Sequence, residues 1–307
     1  PDWVKNNAGW WATDQIEDAD FINGIEYLIK KDILGIDNKK IKGKISIEDA
    51  IFSPNWSVNK DGLVFVASSF FETYAQNGNC FVEDGLSKWI GLMLALNPNK
   101  MDTYNEVALW NDPQSAAVVY PYFTYAAYQP QGFYDYFRGD CDDCTTTKFV
   151  QPTSEYTSSG KGHQALTLLG YHSITDVEID KNPSILQQFD KVIMLHNEYV
   201  TRAMFDAITN HPNVIYLYPN ALYAEIEVNY TDETITLIRG HNYPEQEISN
   251  GFDWPFDNTH PYEYDNTCLD MEFYRVGGAW MTTCYPENLF LVDTEQLFNI
   301  LKLIKDL

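Results

Sequence analysis

From Gly162 onward the chain alternates short apolar runs with amphipathic stretches, and this alternation constrains the fold more than any other feature. The spacing predicts a helix over 162–169, a strand over 171–178, a helix over 183–188, a strand over 191–196, a helix over 199–209 and a strand over 213–218. Strands and helices in such alternation make βαβ units, so the expected class is α/β, a mostly parallel sheet covered by helices. Upstream, Leu63-Val-Phe-Val-Ala67 and Val118-Val-Tyr120 read as strands, and Glu83 to Leu96 as a helix with Leu86, Ile90, Met93 and Leu94 on one face. Residues 128–160, rich in Gly, Asp, Thr, Ser and Tyr, read as a long irregular excursion. Asn229 to Arg239 reads as a hairpin, and Thr294 to Leu307 as a closing amphipathic helix.

The start of the chain has a different character. Trp3, Trp10 and Trp11 fall on one short helix, and Asp18 or Asp20 can cap a second that carries Phe21, Ile25, Leu28 and Ile29. Two such helices bury a Trp cluster but need a partner surface for stability. The expected division is a small helical unit over 1–36, a linker over 37–60 and the α/β domain over 61–307. The stretch PDWVKNNAGWW, followed by an Asp-rich turn and GIEYLIK, resembles a Trp-rich module of exported archaeal proteins. That resemblance implies surface attachment or self-association through this unit and no catalytic role.

With 20 basic against 44 acidic residues the formal charge is −24, and such a surface repels phosphate backbones, so no nucleic-acid partner is expected. No apolar run approaches the roughly 20 residues of a membrane span. A content of 21 Tyr and 8 Trp points outside the cell. The sequence opens at Pro1 without a Met, so it reads as a processed form or a trimmed piece, with any upstream signal or anchor out of view. Among five cysteines, Cys141-Asp-Asp-Cys144 has redox or zinc spacing, but no second such pair completes a zinc site, and the acidic neighbours disfavour a reactive thiolate. Disulfides are expected there and between Cys268 and Cys284. Asn55-Trp-Ser57 and Asn229-Tyr-Thr231 are glycosylation sequons whose weight depends on export. An extracellular or cell-surface location is expected.

Candidate chemistry gathers at two strand ends. Val192-Ile-Met-Leu195 runs into His196-Asn197-Glu198-Tyr199, and Val214-Ile-Tyr-Leu-Tyr218 runs into Asn220. In open α/β sheets the carboxyl ends of the strands are where ligands and catalytic groups collect. Gly170-Tyr171, Thr175-Asp176, His196-Asn-Glu198-Tyr-Val-Thr201 and Asn220-Ala-Leu-Tyr223, in that order, resemble the C-terminal domain of the large subunit of N,N-dimethylformamidase. Looser pieces, including Met271-Glu-Phe-Tyr-Arg275 and Gly278-Ala279, extend the likeness over about residues 62 to 292.

The resemblance implies a class I glutamine amidotransferase-like, flavodoxin-like fold and a mononuclear iron, Fe(III), held by two tyrosines and a glutamate. Carried over, the metal ligands are Glu198, Tyr74 in Phe71-Glu-Thr-Tyr-Ala-Gln-Asn77, and Tyr122 in Val119-Tyr-Pro-Tyr122, with Tyr120 its close rival. A bound cation favours the phenolate, and two phenolates with a carboxylate make a hard anionic set suited to Fe(III). His196 would shuttle a proton, Asn220 would donate to a developing oxyanion, and Glu272 is a weaker acid/base candidate. Asn197 stands where the family has Asp, and Val200 where it has Trp. These departures leave open a pocket shaped for another substrate, or one without metal.

Three functions remain in play: an exported metal-dependent hydrolase of a small amide or related C–N bond, a non-catalytic surface or filament-forming protein on the same fold, and a binder of a small solute or cation without turnover.

Overall fold

The structure is a computed structural model that describes residues 44–45, 64–67, 70–75, 80–83, 86–89, 92–148, 159–256, 268, 271–291 and 295–307, with backbone alone for 44–45, 64–67, 73–75, 80–83, 86–89, 92–93, 287–288 and 291. The Trp-rich unit expected over 1–36, and the linker except Lys44–Ile45, lie outside the described residues.

Six strands precede the main sheet: β1 (Lys44–Ile45), β2 (Val64–Ala67), β3 (Phe71–Ala75), β4 (Cys80–Glu83), β5 (Leu86–Trp89) and β6 (Leu92–Leu96). Helix α1 (Met101–Val107) leads into β7 (Ala116–Tyr120), α2 (Tyr122–Ala127), α3 (Phe133–Phe137), β8 (Thr146–Lys148) and α4 (Gly160–Leu168). Then come β9 (His172–Thr175), α5 (Asp176–Lys181), β10 (Lys191–Met194), β11 (Tyr199–Val200), α6 (Arg202–Thr209) and β12 (Val214–Tyr216). The chain closes with β13 (Ala224–Asn229), β14 (Thr234–Arg239), β15 (Phe273–Val276), β16 (Ala279–Thr282) and α7 (Glu295–Asp306).

The expected α/β class holds: the main sheet runs β15-β16-β12-β10-β7-β9, and every pairing in it is parallel except β15 with β16. Its central strands are buried on both faces, which is why they read as continuous apolar runs. The two-residue period then splits them cleanly. Ala116, Val118, Ile193, Leu195, Ile215 and Leu217 face one cluster with Tyr104 of α1, Leu166 of α4 and Leu301 of α7. Ala117, Val119, Val192, Met194, Val214 and Tyr216 face another with Phe123 of α2, Ile179 of α5 and Met204 of α6. Helices thus cover both sides of one sheet.

A second sheet, β11-β13-β14-β8, mixes one parallel pairing with two antiparallel ones and contains the expected hairpin. It begins where the chain leaves β10, so it stands at the carboxyl edge of the main sheet. The disulfide Cys141–Cys144 falls in the excursion just before β8, and Cys268–Cys284 forms as expected.

Several expectations are corrected: the helix expected over 199–209 begins only at Arg202, after β11, and the excursion expected to be irregular over 128–160 carries α3 and β8. The helix expected over Glu83 to Leu96 is strand: β4 pairs with β5 in the register Glu83↔Leu86, and β6 pairs with β3. The strand expected over 171–178 stops at Thr175, whose hydroxyl accepts from the Glu178 backbone N–H at 3.1 Å while the Glu178 carboxylate accepts from the Thr175 N–H at 2.8 Å. That reciprocal cap starts α5 one residue later.

Candidate functional site

The main sheet has a switch in chain order between β7 and β10. From β7 the chain passes to β9 on one side, then crosses to β10 on the other and continues to β12. At such a point the connections leave the carboxyl edge in opposite directions and open a crevice there. Leu195 to Glu198 continue from β10 into this edge, and Leu217 to Asn220 continue from β12.

Local hydrogen bonds fix the Glu198 backbone. The Asn197 side-chain Oδ1 accepts from Leu195 N at 2.9 Å, bending the chain out of the strand. Thr124 of α2 accepts from the backbone N–H groups of Glu198 (2.9 Å) and Tyr199 (3.2 Å), and Ser159 accepts from His196 N at 3.0 Å. The Glu198 carbonyl accepts from Tyr223 and Ala224. Asn197 therefore holds the turn, while Val200 is packed in the core.

Four side chains converge on this frame. Glu198 is 1% exposed. Its Oε2 accepts from the Tyr128 hydroxyl at 2.8 Å and lies 3.2 Å from His196 Nε2. Its Oε1 pairs with His241 Nε2. Asn220 Nδ2 lies 2.9 Å from His196 Nε2, so Asn220 joins the cluster through the imidazole. Aromatic rings wall it: Tyr218 stacks on His196 with Tyr285 edge-on, Tyr199 stacks on His241, and Tyr134 stacks on Tyr128.

Burial pushes the Glu198 carboxyl up, but the His241 charge and the hydrogen bonds from His196 and His241 outweigh it and hold the group well below the ordinary carboxylate range, at about 2. An acid held so low stays ionised. It suits an anionic anchor or metal ligand, and not a base exchanging protons near neutrality.

The proton inventory is incomplete. His196 Nε2 faces an amide N–H donor of Asn220 and a carboxylate acceptor at once, and one nitrogen cannot accept from the first while donating to the second. Turning the Asn220 amide over resolves this with a proton; sharing the imidazole and carboxylate lone pairs resolves it with a cation. His241 Nδ1 and Asn220 Oδ1 are buried with no hydrogen-bond partner among the described residues. One carboxylate, one phenol and two imidazoles thus gather N and O donors at the site.

Of the residues singled out in the sequence, His196, Glu198 and Asn220 come together. Tyr122 opens α2, half buried, with its ring edge-on to Tyr120 at 6.0 Å; the phenol bonded to Glu198 is Tyr128. The Tyr74 side chain lies outside the described residues, although its backbone sits in β3. Glu272 lies elsewhere: exposed, it lines a cleft of about 690 Å3 between the β15–β16 hairpin and α7 together with Trp280, Glu295 and Asn299.

Tyr128 and His241 were missed. Tyr128 follows α2 at the start of the excursion, and His241 follows the end of β14 at φ 51° in Gly240-His241-Asn242. A Gly-His-Asn run ending a strand was the available signal. Among the described residues, the group of His, Cys, Asp or Glu side chains that meets metal-ligand spacing is Cys141, Asp143 and Cys144, whose thiols are consumed in the disulfide.

No protein-family model matches the chain, and no curated protein matches it.

Proposed function

We propose that the chain is an exported hydrolase of a small amide or related C–N bond, centred on Glu198 and served by iron. One observation carries this reading: a phenol and two imidazoles converge on one buried carboxylate at the switch point of a parallel sheet. Numbered in chain order within the main sheet, the strands run 2-1-3-4 from the β9 edge, which supports a flavodoxin-like, amidotransferase-like assignment. The ordered likeness of His196, Glu198 and Asn220 to N,N-dimethylformamidase supports the reaction class. The two disulfides fit an oxidising, extracellular setting, and among the described residues no helix is long and apolar enough to cross a membrane.

Glu198 and Tyr128 would hold the metal. When bound, the cation would polarise a carbonyl and lower the pKa of a water. His196 sits between Glu198 and Asn220, where it can carry a proton to a leaving nitrogen. The Asn220 amide supplies an N–H for the developing oxyanion. Metal analysis and visible absorbance of native protein, beside turnover of short formamides, test this. Iron with a tyrosinate-to-iron band that disappears in Glu198→Ala is expected; a colourless protein, inert after iron loading, would refute it.

The closure of the cluster favours a second reading. His196, Glu198, Asn220 and His241 are each no more than 5% exposed, as in a structural clamp. A non-catalytic surface or filament protein would give inert, metal-free material that assembles into ordered lattices.

A further inference from the structure

The Asn229-Tyr230-Thr231 sequon takes no part in the Glu198 chemistry, yet the structure presents it in a specific way. Asn229 is the last residue of β13 and pairs with Thr234, so residues 230–233 form the hairpin tip, and 229–233 are all exposed. The tip is anchored from one side. The Tyr230 hydroxyl donates to Asp180 at 2.6 Å, and the Lys181 ammonium lies 4.4 Å from the centre of the Tyr230 ring. Both partners belong to α5, so the tip is held against the body.

The Asn229 carboxamide is itself oriented. Its Oδ1 accepts from Thr231 N at 2.9 Å and Asp232 N at 3.1 Å, and its Nδ2 donates to the Asp232 carboxylate at 2.8 Å. A bulky group on Nδ2 would replace that one exposed contact and displace nothing from the core. Position +1 is Tyr, not Pro, and position +2 is Thr, which meets the acceptor rule.

We propose that Asn229 carries an N-linked glycan. The donor is a lipid-linked pyrophosphate sugar. Nδ2 forms a bond to the sugar C1 as the C1–O bond to the pyrophosphate breaks, and one amide proton leaves to the transferase base. The lipid pyrophosphate departs with the bonding pair. The proposal rests on export, which the disulfides support, and is independent of any hydrolase activity.

The test is mass spectrometry of native protein with fragmentation of the peptide that contains Asn229. A saccharide mass on Asn229 is expected, lost entirely in Asn229→Gln and Thr231→Val and retained in Thr231→Ser. Far-ultraviolet circular dichroism of the variants, unchanged because the tip is exposed, shows that the loss is not misfolding. A bare Asn229 peptide in native protein, from whichever cell fraction it is recovered, overturns the proposal. So does a saccharide that persists in Thr231→Val.

Discussion

Two buried carboxylates flank α2, and they are held in opposite charge states. Glu198 meets a phenol and two imidazoles, and its pKa falls to about 2. Asp176, also fully buried, meets no cation among the described residues. Burial pushes its carboxyl up, backbone N–H groups of Phe123, Tyr122 and Val177 offset part of this, and the group stands at about 8 with Oδ1 unpartnered. Burial is common to both, so it does not decide the charge. Partners do.

The strongest challenge to this contrast is Glu198→Gln. It removes the anion from between its partners and should cost about 3–5 kcal/mol, read by chemical denaturation, because the groups around it are left buried without a counter-charge. A cost below about 1 kcal/mol would mean the imidazoles do not depend on it.

The pH profiles should have opposite signs. The Glu198 pKa is depressed, so its stabilisation is present above the ordinary 4.5 and is lost as pH falls toward about 2. The Asp176 pKa is raised, so its contribution is intact below 3.8 and is lost as pH rises toward about 8. Asp176→Asn should flatten that second decline and become more stable than the parent at pH 8–9, by on the order of a few kcal/mol. Thermal midpoints between pH 2 and 9 check this; parallel slopes in both proteins would remove the contrast.

Tyr128→Phe deletes a single hydrogen bond to the anion and should cost about 1.5–3 kcal/mol. If the phenol also binds metal, the visible band should shift in the same variant. Thr175→Ala, which removes the cap that starts α5 beside Asp176, should cost about 1 kcal/mol in denaturation while leaving metal content unchanged.

Legibility in the sequence followed locality. His196, Glu198 and Asn220 could be read because each lies a few residues beyond an apolar strand that betrays itself by composition. Tyr128 and His241 reach the same carboxylate from 70 and 43 residues away, through an excursion and a hairpin end with no periodic signature. The misread helix had apolar residues at helical spacing, but its edge carried Asp84-Gly85 between paired Glu83 and Leu86, a two-residue hairpin signal stronger than the period. Likewise Thr175-x-x-Glu178 is a capping box inside what composition suggested was strand. Short-range turn and cap chemistry outranked the apolar pattern in both places.

The strand β10 begins at Lys191, whose buried ammonium donates to the carbonyls of Ile304 (2.8 Å) and Lys305 (2.6 Å) at the end of α7. The same short segment that delivers Glu198 at one end is thereby tied at the other to the last turn of α7. Losing the last turn of α7 would strand a cation at the amino end of β10. Such damage would reach the distant acid through the strand they share, so the end of α7 serves as a latch on the site.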